Sequence, residues 1–308
     1  MRLLNRSAPP QLDEHLTFFS VAQAREFRRL VERSFAAAGR DVSVYDDHVE
    51  DRGGTTFSLF NLGLLCVGTP PDGWSALIDD HVQLVTTPAR DLSELSQHEL
   101  ESALYLRLAE IASVPDSDSA AYARVVAPGL LEVLSVDLPD SVATPSREAL
   151  EPRGTLGELV DRGRENLLGL LDGHAVGAEQ VGDTSTGRYT AVTGGSFFTA
   201  SLSLLLPETI ERYSGEDDWG RGVLVAVPSR HQLLYRPING KDAEGALYRM
   251  IEAAMYGFSD QPGPLSPDVF WVRNRQWTQV TSWRSGKPRI LRETGVRDAL
   301  RVASPRGG

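Results

Sequence analysis

Four stretches of the chain space their apolar residues three and four apart, as one face of a helix requires. Three of them open on a hydroxyl residue followed three positions later by Gln or Glu, the reciprocal pattern that caps a helix start. Ser20 and Gln23 open the first, whose inward face is Phe27, Leu30, Val31, Phe35 and Ala38, with Gly39 placed to stop it. Ser96 and Glu99 open the second, with Leu100, Ala103, Leu104, Leu108 and Ile111 on one side. Thr155 and Glu158 open the third, through Leu159, Val160, Leu167 and Leu171. The fourth runs from about Asp242, with Leu247, Met250, Ile251 and Ala254 inward. Trp74, Leu77, Ile78, His81 and Val85 predict a shorter helix, in which His81 is a hydrogen-bonded core residue.

Strand patterns lie between these helices. Residues 41–50 and 55–67 flank Asp51, Arg52, Gly53 and Gly54, a turn composition that predicts a hairpin. Residues 222–227 and 231–236 flank Pro228, Ser229 and Arg230 as a second hairpin. Residues 269–273 and 276–280 flank Asn274 and Arg275 as a third, and 188–193 form a further short strand. The stretches 113–119 and 137–154 read as loops. The expected fold is therefore α+β: antiparallel hairpins packed with amphipathic helices, in two lobes. The expected division is an N-terminal lobe over 1–118 and a C-terminal lobe over 119–308, the latter ending in a basic tail over 282–308.

The second half carries a family resemblance. Its marks are Glu165, Asn166 and Leu167 at a helix end, then Tyr189 to Val192 leading into Thr199 to Leu202 and Leu206, Pro207 and Glu208. Ala226 to Arg230 follow, with the strand from His231 to Tyr235 and a terminal hairpin. From about Thr155 onward the chain resembles the YtpQ-like family of bacterial proteins. Where that family tends to carry Pro-Asn-Arg, this chain has Pro228, Ser229 and Arg230. The resemblance implies an α+β fold and supplies no activity, because the family has none assigned.

Composition narrows the class. Of 308 residues, 41% are hydrophobic and 24% charged, too apolar for a disordered chain. No apolar run approaches the ~18 residues of a membrane helix, and the N-terminus lacks the apolar core of a secretory signal, so a cytoplasmic protein with no membrane partner is expected. The single cysteine, Cys66, excludes an internal disulfide and sits in an apolar run as a core residue. Net charge is −11, and it is split. Residues 271–308 carry nine basic groups against Glu293 and Asp298, a surplus of +7 that leaves −18 on the rest. The body should repel nucleic acid, and the tail should dock on it through Trp283, Ile290, Leu291, Val296 and Leu300.

Candidate chemistry is sparse. On a strand, Asp46, His48 and Glu50 would share a face and could ligate a divalent metal, the basis of a metal-dependent hydrolase. The competing reading is a solvated strand face. Ser229, Arg230 and His231 at a hairpin tip invite a nucleophile reading, but Ser229 lacks the strained turn and oxyanion hole that a hydrolytic serine requires. Trp271, Trp277 and Trp283 alternate with Arg273, Arg275 and Arg284, a composition used for single-stranded nucleic acid. Packing of those rings in a hairpin core is the stronger reading, so a nucleic-acid partner is not expected. No cofactor motif is present. The balance of these readings is a non-enzymatic binding or regulatory module whose partner is a protein.

Overall fold

The computed structural model describes residues 11–52, 56–86, 92–114, 122–139, 141–216, 218–284, 287–291 and 295–303. Gly53 and Gly54 of the first expected turn, and most of the 113–119 loop, lie outside them. Two compact units divide the chain at residue 88. Their fold is α+β with antiparallel sheets.

In the first unit, α1 (Val21–Ala37) starts where the sequence pattern puts it: Ser20 Oγ accepts from the Gln23 backbone N–H, and the Gln23 side chain accepts from the Ser20 N–H. The hairpin that follows is three short strands, β1 (Val42–Val44), β2 (His48–Asp51) and β3 (Thr56–Ser58), paired in that order. The expected strand over 41–50 is therefore broken by a turn at 45–47, where the Tyr45 N–H donates to His48 O. The strand expected over 55–67 ends at Ser58. Ser58 Oγ accepts from the Phe60 N–H and starts α2 (Leu59–Val67), a leucine-rich segment with few β-branched residues to favour a strand. Cys66 is fully buried there, as expected. The Trp74 indole at the head of α3 (Trp74–Thr86) donates to Cys66 O at 2.8 Å and Thr69 O at 2.9 Å, so this large ring is buried with its one polar atom satisfied. Phe19, Phe27, Phe35, Leu62 and Ile78 complete this core, and His81 lies half-buried on α3.

In the second unit the Ser96–Glu99 box caps a much shorter helix than its spacing suggests. α4 (Gln97–Ala103) stops at Leu104, where the backbone becomes extended and enters β4 (Leu104–Glu110). β5 (Arg124–Ala127), β6 (Leu130–Leu138) and β7 (Ser141–Ala143) complete a sheet with β4 and β5 flanking β6, and β7 pairs with the end of β6. Full antiparallel register joins β4 to β6, from Leu104 opposite Val136 to Glu110 opposite Leu130. A boundary at 118 would cut between these paired strands; the division falls at 88 instead. Likewise the expected loop over 137–154 holds β7 and α5 (Arg147–Leu150).

Next come α6 (Leu156–Gly169), capped by Thr155 as expected, then β8 (Val176–Val181) and β9 (Tyr189–Gly194). A 3-10 turn over Thr199–Leu205 leads into α7 (Leu206–Tyr213). β10 (Val223–Ser229), β11 (Gln232–Pro237), α8 (Ala243–Asp260), β12 (Val269–Arg273) and β13 (Gln276–Gln279) follow. The large sheet has the order β13-β12-β10-β11-β9-β8. Asn274 and Arg275 both adopt positive φ, the two-residue turn that matches strand twist in the third hairpin.

This sheet is covered on both faces, which is why β10 is buried along its whole length. Val225, Val227, Leu233 and Tyr235 pack toward the 3-10 turn, α7 and the smaller sheet. Leu224, Ala226 and Leu234 pack against Leu247, Met250 and Ala254 of α8. The tail joins that second face. It forms β14 (Thr281–Arg284), β15 (Lys287–Ile290) and α9 (Val296–Ala303), with Val296 and Leu300 buried beside α8 and with Trp283 and Ile290 packed against the same cluster. Apolar contact holds it there. Among the described residues Arg301 pairs with Asp298 of its own helix, in an exposed ion pair of the kind that contributes little. Among the described residues, no helix is long and apolar enough to cross a membrane.

Candidate functional site

The structure does not gather Asp46, His48 and Glu50. His48 and Glu50 share the outer face of β2, but Asp46 sits in the turn before it. Asp46 reaches outward to His15, 3.7 Å away, and its carbonyl accepts from Arg28 Nε. The His48 ring stacks on Tyr45 at 4.6 Å, and its Nδ1 lies 2.7 Å from Asp47 Oδ1, a neighbour outside the expected trio. Among the described residues no group of three His, Cys, Asp or Glu side chains is placed to hold a metal ion.

Ser229, Arg230 and His231 do come together in space with other groups, though not as a nucleophile and base. Ser229 Oγ is buried and donates to Gln261 Oε1 at 2.8 Å. Arg230 Nε donates to His231 Nε2 at 3.0 Å, so that nitrogen is the acceptor, and Nδ1 must carry the proton it gives to Ser196 O at 3.2 Å. Burial, then the charge of Arg230, holds this imidazole below its ordinary pKa. Both ring nitrogens are committed to partners other than Ser229.

The neighbour that links these residues to the smaller sheet is Phe197. The Arg230 guanidinium carbon lies 4.4 Å from its ring centroid, and that of Arg107 lies 5.6 Å from it. Arg107 stands on β4, only 7% exposed. Phe198, next in the chain, stacks on Tyr105 of β4 at 4.4 Å. The helix expected through 111 would have put Arg107 on a solvated side. As a strand, the segment alternates Leu104, Leu106 and Leu108 with Tyr105, Arg107 and Ala109, and both sets are largely buried.

Facing the other way from β4, Leu106 lines a half-open cleft of about 510 Å³. Trp219, Trp277, Leu204 and Pro207 supply apolar wall. Arg124, Glu132, Arg164, Asp161 and Arg275 supply charge, and two of the three arginines are already paired with carboxylates. Arg124 Nε donates to Glu132 Oε1 at 2.9 Å, and Arg164 Nη2 donates to Glu208 Oε1 at 2.7 Å. Sequence spacing could not have revealed this cleft, whose lining runs from residue 106 to 277.

Trp271, Trp277 and Trp283 are engaged within the unit. Trp271 Nε1 donates to Arg221 O at 2.8 Å, Trp283 Nε1 to Pro267 O at 3.1 Å, and the Trp277 ring packs 5.5 Å from Phe270. Compared with family models, with curated proteins and with solved structures, the chain finds no match.

Proposed function

We propose that this chain is a non-catalytic binding module of the cytosol, and that the cleft between β4, β13 and α6 takes a segment of a partner protein. The observation that carries the reading is the makeup of that cleft: two tryptophans and short aliphatics for the floor, with a rim of mixed sign. Tryptophan and arginine are the residues on which binding energy concentrates at protein interfaces. The rim argues against a polyanion. Two of its three arginines are paired with Glu132 and Glu208, so a nucleic-acid backbone would find little free positive charge. An apolar anchor side chain flanked by polar backbone suits it better. Membership of the YtpQ-like family is part of the same reading and brings no chemistry with it.

Selection of random peptides on the full-length chain tests this. Enriched peptides should share an aromatic or aliphatic anchor, and Trp219→Ala should weaken them about 30-fold, the loss of a typical ~2 kcal/mol anchor, with an unchanged melting temperature. Failure to enrich any anchor, or equal binding by Trp219→Ala, would remove the cleft from consideration.

A further inference from the structure

Two buried arginines in this chain stand in opposite circumstances. Arg236, on β11, is 3% exposed and is gripped by Asp242 at 2.8 Å and Glu216 at 3.2 Å. That is how a structural arginine is kept in a core, since guanidinium cannot shed its proton and an unpaired buried charge costs several kcal/mol. Arg107 is nearly as buried, yet no carboxylate among the described residues pairs with it; its Nε, like that of Arg236, has no hydrogen-bond partner among them. Its neighbours are a ring face, the Tyr122 hydroxyl and a second cation, Arg230. Arg230 in turn spends its Nε on a neutral imidazole. Burial, with Arg230 adding to it, holds the Arg107 guanidinium down to about 10.

We propose that Arg107 and Arg230, positioned around Phe197, bind the phosphoryl dianion of a small phosphorylated molecule. Two positive charges that no carboxylate among the described residues pairs with match the roughly −1.5 to −2 charge of a phosphomonoester at neutral pH, and guanidinium forks suit its oxygens. Ser135 adds a second mark. It lies diagonal to Arg107 on the same face of the β4–β6 pair, and its buried Oγ also lacks a partner among the described residues. The chain beside the site is permissive: a side-chain carbon added at Gly195 would meet nothing within 4 Å. His231, fixed between Arg230 and Ser196 O, is a positioning residue that sets the direction of the Arg230 guanidinium. The small-molecule assignment follows from depth, since Arg107 is only 7% exposed and a bulky partner could not approach it.

This site is separate from the cleft, because Leu106 and Arg107 are successive residues on one strand and face opposite ways. Loss of peptide binding in Trp219→Ala should leave it intact, so the two readings fail independently.

The test is thermal melting of the full chain in sodium phosphate against sodium chloride at matched ionic strength, then in glycerol phosphate and a phosphoserine peptide. Phosphate and glycerol phosphate should raise the melting temperature saturably at pH 7.5. The apparent affinity should fall at least 10-fold in Arg230→Gln and weaken at pH 5.5, where the monoester loses charge. Arg107→Met should abolish the response while melting no lower than wild type without phosphate, because it removes an uncompensated buried charge. An equal rise in chloride, or a wild-type phosphate response in Arg230→Gln, would overturn the site. Tighter binding of the phosphoserine peptide than of glycerol phosphate would overturn the small-molecule assignment.

Discussion

Arg230 Nε donates to His231 Nε2 at 3.0 Å, and this single bond fixes the imidazole as a neutral acceptor. Protonation of His231 would set N–H against N–H and place a cation beside a cation. The folded-state pKa is accordingly depressed by burial and by Arg230.

A pH dependence follows from that depression. Below an unfolded pKa of about 6.5, the unfolded chain takes up a proton at this position that the folded chain refuses. This contribution to stability is therefore complete above pH ~7 and is lost as the pH falls below ~6.5 toward the folded pKa. Urea unfolding at pH 8 and pH 5.5 should show His231→Gln losing less stability than wild type across the interval, by up to about 1 kcal/mol. Identical slopes would mean that His231 takes up its proton without cost to the fold.

The Arg236–Asp242 pair predicts a larger effect with no pH signature needed. Both side chains are almost fully buried. Among the described residues Asp242→Ala leaves the guanidinium with Glu216 at 3.2 Å as its one carboxylate, and breaking one partner of a buried pair costs about 3–5 kcal/mol. Adding Arg236→Met should recover a good part of that loss, since the stranded charge goes with it. A double-mutant cycle measured by denaturant unfolding checks this, and simple additivity of the two losses would refute it.

How far the sequence could be read depended on the reach of each contact. Ser20, Ser96 and Thr155 were legible as helix starts because a capping box is complete within four residues. Asn274 and Arg275 were legible for the same reason, as the turn of a hairpin. The end of α4 was not. Leu104 and Leu108 satisfy both a four-residue helical spacing and a two-residue strand alternation, and the choice is made by β6, some 25 residues away. That one ambiguity hid Arg107, since only the strand reading turns it inward. β8 was missed because it is an edge strand with Gly177 to Gln180 exposed, so it carries no apolar signature. Asp46 does not share the face of His48 and Glu50 because of a turn at 45–47 that the composition does not announce.

The packing of α6 on β4 sets two effects of similar size against each other at Gly163. Glycine inside a helix is about 1 kcal/mol worse than alanine, so Gly163→Ala would stabilise α6 taken alone. In the folded unit the added carbon would stand 2.9 Å from Leu106 N, 3.0 Å from Leu134 Cδ2 and 3.1 Å from the Tyr105 carbonyl carbon. Two of those three neighbours are strand backbone, which cannot step aside as a side-chain tip would. Overpacking of this kind costs about 1–3 kcal/mol, which exceeds the helix gain. The net result should be a loss of about 1 kcal/mol in denaturant unfolding. Because the strain falls on Tyr105 and Leu106, it should also displace β4 beside Arg107, weakening the phosphate response before the melting temperature changes much. A more stable Gly163→Ala protein would show that α6 can ride outward freely, and that β4 is not held in place from that side.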